Sequence, residues 1–299
     1  MKEYYIDLGS STIKTSLYED RVLSLIEEHS IYFKNGLSKE NGISQDNINL
    51  LYDYIESLKT KYQLNFDNTE IFATGVFRSI PISQCNEIAK YFRENFQLTF
   101  NIISHGIENY YLAKALESDY NGKKVLVVNM GGKTTELVTF DNGKITDTQN
   151  LNVGVADMLN NFPESNQPHS KEKLEDMVAF IKNKVGTISQ NNDYDCAIFT
   201  GGELRFEKLT KYALEENDLF DDGIHDKKIS FENFVKGNKK VFYEYTLQQL
   251  YDLMPHNPKW MDGARGGIAL AQALFELANI KTIVPSDLNL IHGVIKDKF

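Results

Sequence analysis

Cysteine is nearly absent from this chain: Cys85 and Cys196 are the only two, far apart and without CxxC spacing. That excludes a disulfide framework and leaves no zinc-binding pattern. Cys196, within the apolar stretch Cys196-Ala197-Ile198-Phe199, reads as a core thiol. Also lacking is any apolar run long enough to cross a bilayer, and the N-terminus passes straight into a strand pattern. These two features lead us to expect a cytoplasmic protein with no membrane partner. Nor is there an excess of positive charge. Lys and Arg total 32 against 42 Asp and Glu, a formal net charge of −10, which argues against unspecific binding of nucleic acid or acidic lipid. A polyanionic ligand would therefore need a local basic lining. Lys14, Arg78, Lys133 and Arg265 are the candidates, although Arg265 reads rather as a solvated surface cation. No low-complexity stretch or long flexible linker interrupts the 299 residues, which suffice for two domains.

What the chain does have is one short pattern used twice. The segment from Tyr4 through Asp7-Leu8-Gly9-Ser10-Ser11-Thr12 to Lys14 recurs, 122 residues on, from Leu126 through Asn129-Met130-Gly131-Gly132-Lys133-Thr134 to Glu136. Each copy is an apolar strand ending in a carboxylate or amide, a turn of glycine and small residues, and a second strand. Such turns expose backbone N–H groups and small donors, as bound phosphate oxygens require. Gly9, Ser10, Ser11 and Thr12 in the first copy, and Gly131, Gly132, Lys133 and Thr134 in the second, are thus expected to bind phosphate. Lys14 and Glu136 occupy equivalent positions and are expected to project from opposite sides into a central cleft.

The periodicities predict strands at residues 3–8, 12–18 and 22–33, a helix over 44–62 with Ile48, Leu51, Ile55 and Leu58 on one face, and a strand at 70–74. A helix over 82–95, a strand at 99–103 and a helix over 106–118 complete the first half. The second half is expected to hold strands at 124–129, 134–140 and 143–151, helices from 155 and over 170–186, a strand at 195–200 and a helix from Glu203. Residues 217–260 read as irregular and charged. A helix from Asp262, with small residues at a close contact, a short strand at 283–284 and a helix over 287–298 follow. The Asp119-Tyr120-Asn121-Gly122 segment is the expected boundary between domains at 1–120 and 121–299, with the terminal helix free to pack back on the first.

Five segments in this order resemble the exopolyphosphatase/guanosine-pentaphosphate phosphohydrolase (Ppx/GppA) family. They are Asp7 to Thr12; Ala73-Thr74-Gly75-Val76-Phe77-Arg78; Ile103-Ser104-His105-Gly106-Ile107-Glu108; Asn129 to Leu137; and Thr200-Gly201-Gly202. Ser286-Asp287 and Gly293 also look like that family's ending. The resemblance implies two ribonuclease-H-like (actin-like ATPase) α/β domains with mixed sheets flanking a cleft. It implies hydrolysis of a terminal phosphoanhydride bond in inorganic polyphosphate or guanosine penta- or tetraphosphate, and suggests a homodimer. Glu108 takes the place of the general base that activates water; read by itself it is an ordinary acid in a first helical turn. Asp7, with Asn129 and Glu136, takes the place of the ligands to Mg²⁺, or Mn²⁺ in its stead. Lys14 and Arg78 take the place of phosphate-binding cations, with a surface salt bridge the competing reading for Arg78.

The departures bear on activity. Asn129 stands where the family has Asp, removing an anion, and Lys133 stands where it has a third glycine, adding a cation and suggesting a reshaped turn. Together they suggest that a fixed ammonium replaces part of a metal's charge neutralisation. Ile291 and His292 stand where the family has Arg-Glu. Two other functions are therefore expected alternatives: a phosphate-ligand or nucleotide sensor with weakened catalysis, and a small-molecule kinase of the same superfold.

Overall fold

In the computed structural model, which describes residues 2–118, 120–188 and 193–299, the chain forms two α/β units. The first runs to Tyr110 and includes Leu290–His292; the second comprises Tyr111–Asn289 and Gly293–Phe299. Of the segment expected to separate the domains, Asp119 lies outside the described residues, and Tyr120–Gly122 form a short 3₁₀ turn. No helix among the described residues is long and apolar enough to cross a membrane.

The first unit is built on strands β1 (Glu3–Leu8), β2 (Thr12–Glu19), β3 (Val22–Ser30), β4 (Thr69–Ala73) and β5 (Phe100–Ile102). They lie in the order β3-β2-β1-β4-β5, with β1 to β3 antiparallel and β4 and β5 parallel to β1. Alternation sorts the side chains of β1: Tyr4, Ile6 and Leu8 enter the core, so Asp7 must face away from it. Helix α1 (Gln45–Tyr62) starts where the Ser44 hydroxyl accepts from the Asn47 N–H, and it buries Ile48, Leu51, Ile55 and Leu58. Each such aliphatic side chain contributes roughly 1.5–3 kcal/mol on burial. Helix α2 (Ile82–Tyr91) passes into a single π turn, Phe92–Phe96, and helix α3 (His105–Ala115) follows β5. The third strand was expected to reach residue 33 but ends at Ser30. There the backbone turns onto the first Gly-Ser loop: Ile31 N–H bonds Ser11 O (3.1 Å) and Phe33 N–H bonds Ser10 O (3.2 Å).

The second unit repeats the arrangement with β6 (Lys124–Met130), β7 (Thr135–Asp141), β8 (Lys144–Leu151), β9 (Cys196–Thr200), β10 (Glu215–Glu216), β11 (Lys227–Ser230) and β12 (Thr282–Pro285). The order β8-β7-β6-β9-β12 matches that of the first sheet, and β11 and β10 extend it antiparallel. Its helices are α4 (Val155–Asn161), α5 (Leu174–Val185), α6 (Glu203–Leu209), α7 (Phe231–Tyr243), α8 (Leu247–Leu253), α9 (Ala264–Leu277) and, from Gly293 onward, α10 (Leu290–Lys298). Helix α9 is buried along most of its length, and its Gly266 admits α4: a Cβ there would meet Met158 Cβ at 2.8 Å.

Residues 217–260, expected to be irregular, instead contain β11, α7 and α8. Gly237 and a run of lysines hide α7 in the sequence. Its buried face is Phe234, Asn238, Val241 and Phe242, and the Asn238 amide is satisfied by Tyr212, Gln272 and the Ile268 carbonyl. Gly237 is there because the Tyr212 ring would lie 2.5 Å from any Cβ. Arg265 is likewise no surface cation. It is buried, and its two Nη atoms donate to the carbonyls of Ser165, Gln167, Pro168 and Tyr245.

Candidate functional site

The parallel strands of the first unit end in register. Leu8 pairs with Ala73 and Ala73 with Ile102, so the residues that follow all leave the sheet at one edge. Thr74 N–H bonds Leu8 O (2.9 Å) and Ile103 N–H bonds Ala73 O (3.1 Å), which ties these exits together. Ligands of open α/β sheets bind at such carboxyl ends. The first loop is a tight turn closed by Gly9 N–H on Thr12 O at 3.0 Å. Ser10 is buried, and its hydroxyl accepts from Val76 N–H at 2.8 Å. That bond joins the Gly-Ser loop to the 3₁₀ turn Gly75–Ser79, where Gly75 adopts φ +55° with Ser10 Oγ only 2.2 Å from any Cβ position.

Arg78 stands at the end of that 3₁₀ turn and Glu108 in the first turn of α3. Ser104 starts the helix by accepting Ile107 N–H on its hydroxyl and Glu108 N–H on its carbonyl. The two side chains meet: Arg78 Nη1 donates to Glu108 Oε2 at 2.5 Å, and also to Ile103 O at 3.4 Å. Both side chains are nearly out of solvent (12% and 11% exposed), so this is no surface salt bridge. Arg78 Nε and Nη2 are buried with no hydrogen-bond partner among the described residues. Burial pushes the Glu108 carboxyl above its usual range, against the pull of the Arg78 guanidinium.

Asp7 and Lys14 face one another across β1 and β2. Burial raises the Asp7 carboxyl to about 6; the Lys14 ammonium opposes that and Glu108 adds to it. His292, from the first three residues of α10, is pushed down to about 4 by burial, with Lys14 adding, and is therefore neutral at physiological pH. The first unit thus gathers Asp7, Lys14, Arg78, Glu108 and His292.

The second unit has the same turn chemistry. Gly131 N–H bonds Thr134 O at 2.8 Å, the counterpart of the Gly9–Thr12 bond. Lys133 does not take a left-handed conformation, so no backbone strain requires a glycine there. Asn129 and Glu136 face one another at the register that Asp7 and Lys14 hold in the first unit. Asn129 Nδ2 donates to Glu136 Oε2 at 3.1 Å, and Glu136 is buried. That bond turns the amide oxygen of Asn129 toward Gly201, where a Cβ would meet it at 3.2 Å. The five strands β8-β7-β6-β9-β12 follow the order of β3-β2-β1-β4-β5, so the internal repeat extends past the Gly-rich turns. Sequence reasoning missed Gly154. A Cβ there would lie 2.5 Å from Gly131 O and 2.6 Å from Lys133 N, so only glycine lets α4 start against this turn. A glycine just before the apolar start of a helix was the available signal.

Fold and site together define a two-unit α/β protein with a Gly-rich turn in each unit and a buried acid–guanidinium pair in the first. The sequence model of the Ppx/GppA phosphatase family matches residues 21–299, and the chain belongs to that family. The match begins after the first turn, whose equivalence to the second rests on the repeat. The sequence matches no curated protein. Among solved structures, a Ppx/GppA family member from Aquifex aeolicus is similar at TM-score 0.70 and 18% identity, over 100% of this chain and 97% of that one. An exopolyphosphatase from Cytophaga hutchinsonii is similar at TM-score 0.78 and 13% identity, over 100% and 97%. These likenesses concern the fold, which is the α/β class with mixed sheets that the resemblance implied.

Proposed function

We propose that this phosphatase-family protein hydrolyses the terminal phosphoanhydride bond of inorganic polyphosphate or of guanosine penta- or tetraphosphate. The observation that carries this reading is the pairing of Glu108 with a guanidinium that keeps three N–H donors unspent. Unpaired buried donors call for an acceptor, and the Nε–Nη2 edge matches two phosphoryl oxygens. In the proposed step Glu108 takes a proton from water, the water oxygen bonds the terminal phosphorus, and the bridging P–O bond breaks toward the chain one phosphate shorter. A carboxyl raised by burial is a better base than a solvated one, and Arg78 favours its ionised form. The turns Gly9–Thr12 and Gly131–Thr134, with Lys14 and Lys133, are proposed to bind phosphate. Lys133→Ala should accordingly weaken tripolyphosphate binding severalfold in calorimetry; unchanged affinity would remove Lys133 from the site.

The residues fit a divalent cation unequally. Asp7 is a hard oxygen donor whose raised carboxyl a cation would reverse, and it is the proposed Mg²⁺ or Mn²⁺ ligand. Such an ion would neutralise charge on the phosphates. Glu136, in the second unit, is likewise a carboxylate oxygen donor. Asn129 spends Nδ2 on Glu136, and its amide oxygen is a neutral, weaker donor to such an ion. The test is phosphate release from polyphosphate and guanosine pentaphosphate, which should require Glu108. Ligand binding without release would instead favour the sensor.

A further inference from the structure

Arg78 has five N–H donors in one plane. The two on Nη1 are used on Glu108 Oε2 (2.5 Å) and Ile103 O (3.4 Å), while Nε and Nη2 are buried and unpartnered among the described residues. Ile103 is itself fixed, because its N–H bonds Ala73 O at the end of β4. Two protein acceptors, one of them at a strand end, thus hold the Nη1 side of the guanidinium. Glu108 has its backbone fixed by Ser104, and its carboxylate accepts from Arg78 Nη1.

We propose that Arg78 is, beyond a phosphate contact, the positioning residue for Glu108: one rigid fork holds the base by Nη1 and receives the phosphoryl oxygens on the Nε–Nη2 edge. Base and substrate are thereby held at a fixed distance by a single planar group. A lysine at 78 would supply the charge but not this geometry, since an ammonium cannot direct donors along two edges at once. The inference rests on the phosphohydrolase reading, and its test separates the two.

The experiment compares wild type with Arg78→Lys, Arg78→Ala and Glu108→Gln, using tripolyphosphate binding by calorimetry and phosphate-release kinetics. Arg78→Lys should weaken tripolyphosphate binding severalfold through the lost Nε–Nη2 contact and, beyond that, lower kcat on the order of 100-fold because the base is displaced. Guanidinium chloride at millimolar concentration should restore kcat to Arg78→Ala, and methylammonium should not. An Arg78→Lys variant with raised KM and unchanged kcat would overturn the proposal and leave Arg78 a phosphate contact only. If wild type releases phosphate from none of the substrates, the phosphohydrolase reading fails, and the pairing is judged by binding alone. Glu108→Gln removes the negative charge that Nη1 holds and should then change tripolyphosphate affinity severalfold, an effect that must vanish in the Arg78→Ala background. If it persists there undiminished, Arg78 and Glu108 act independently and the proposal is wrong.

Discussion

Asp7 opposite Lys14 and Asn129 opposite Glu136 are the same cross-strand pair, with the carboxylate moved from one strand to the other. Each pair sets one acid against one donor, and directly opposed acids in a sheet destabilise it. Asn129→Asp should therefore lower the unfolding free energy by roughly 1–3 kcal/mol at neutral pH, as a buried acceptor loses its donor and gains a like charge. Thermal unfolding of that variant without metal is the check, and an unchanged midpoint would show that the pair carries no weight. Asp7 gives a prediction with a sign. Its folded carboxyl, raised to about 6 from 3.8, holds its proton more tightly than in the unfolded chain. The associated stabilisation is complete below pH 3.8 and lost as pH rises through 6. Asp7→Asn should match wild type near pH 4 and exceed its stability at pH 8, by on the order of 2 kcal/mol in chelator. A difference that does not depend on pH would contradict burial as the cause. Arg265 was misread because an isolated arginine carries no sequence sign of burial. Arg265→Met strips four carbonyls of their donor and should cost about 2–4 kcal/mol, seen as a lower denaturation midpoint.

Elements were legible where period and turn agreed. The three strands of each copy, α1 with its Ser44 cap and the small-residue helix α9 follow from alternation, 3-4 spacing and capping. Helix α7 was not, because its stripe includes Asn238 and its middle is Gly237, both dictated by Tyr212, a residue distant in sequence. Helix α8 did carry a signal, the Thr246–Gln249 capping box. The end of β3 was invisible for another reason: its last N–H groups go to the carbonyls of the Gly-Ser loop rather than to a neighbouring strand. Close approaches make the sharpest predictions at this scale. In α10 a Cβ on Gly293 would lie 1.7 Å from the Tyr111 carbonyl oxygen of α3. Gly293→Ala should give little folded protein, whereas Gly154→Ala should fold and bind tripolyphosphate more weakly because the 131–133 backbone must shift.

For the whole molecule, the repeat was readable as two turns and proved to be five strands in the same order in each sheet. Family and fold class could be read from five short segments because those segments sit at the ends of strands, where function constrains sequence. The meeting of Arg78 with Glu108 could not, since thirty residues separate them and only the shared edge of β4 and β5 brings them together. That pair carries the functional proposal, and one assay addresses it: phosphate release by the purified protein with Mg²⁺ or Mn²⁺, offered polyphosphate, guanosine pentaphosphate and ATP separately, beside Glu108→Gln. We expect release from polyphosphate or guanosine pentaphosphate that drops at least 100-fold in Glu108→Gln. Release that Glu108→Gln leaves intact, or none from any substrate while tripolyphosphate still binds, would contradict the role assigned to Glu108.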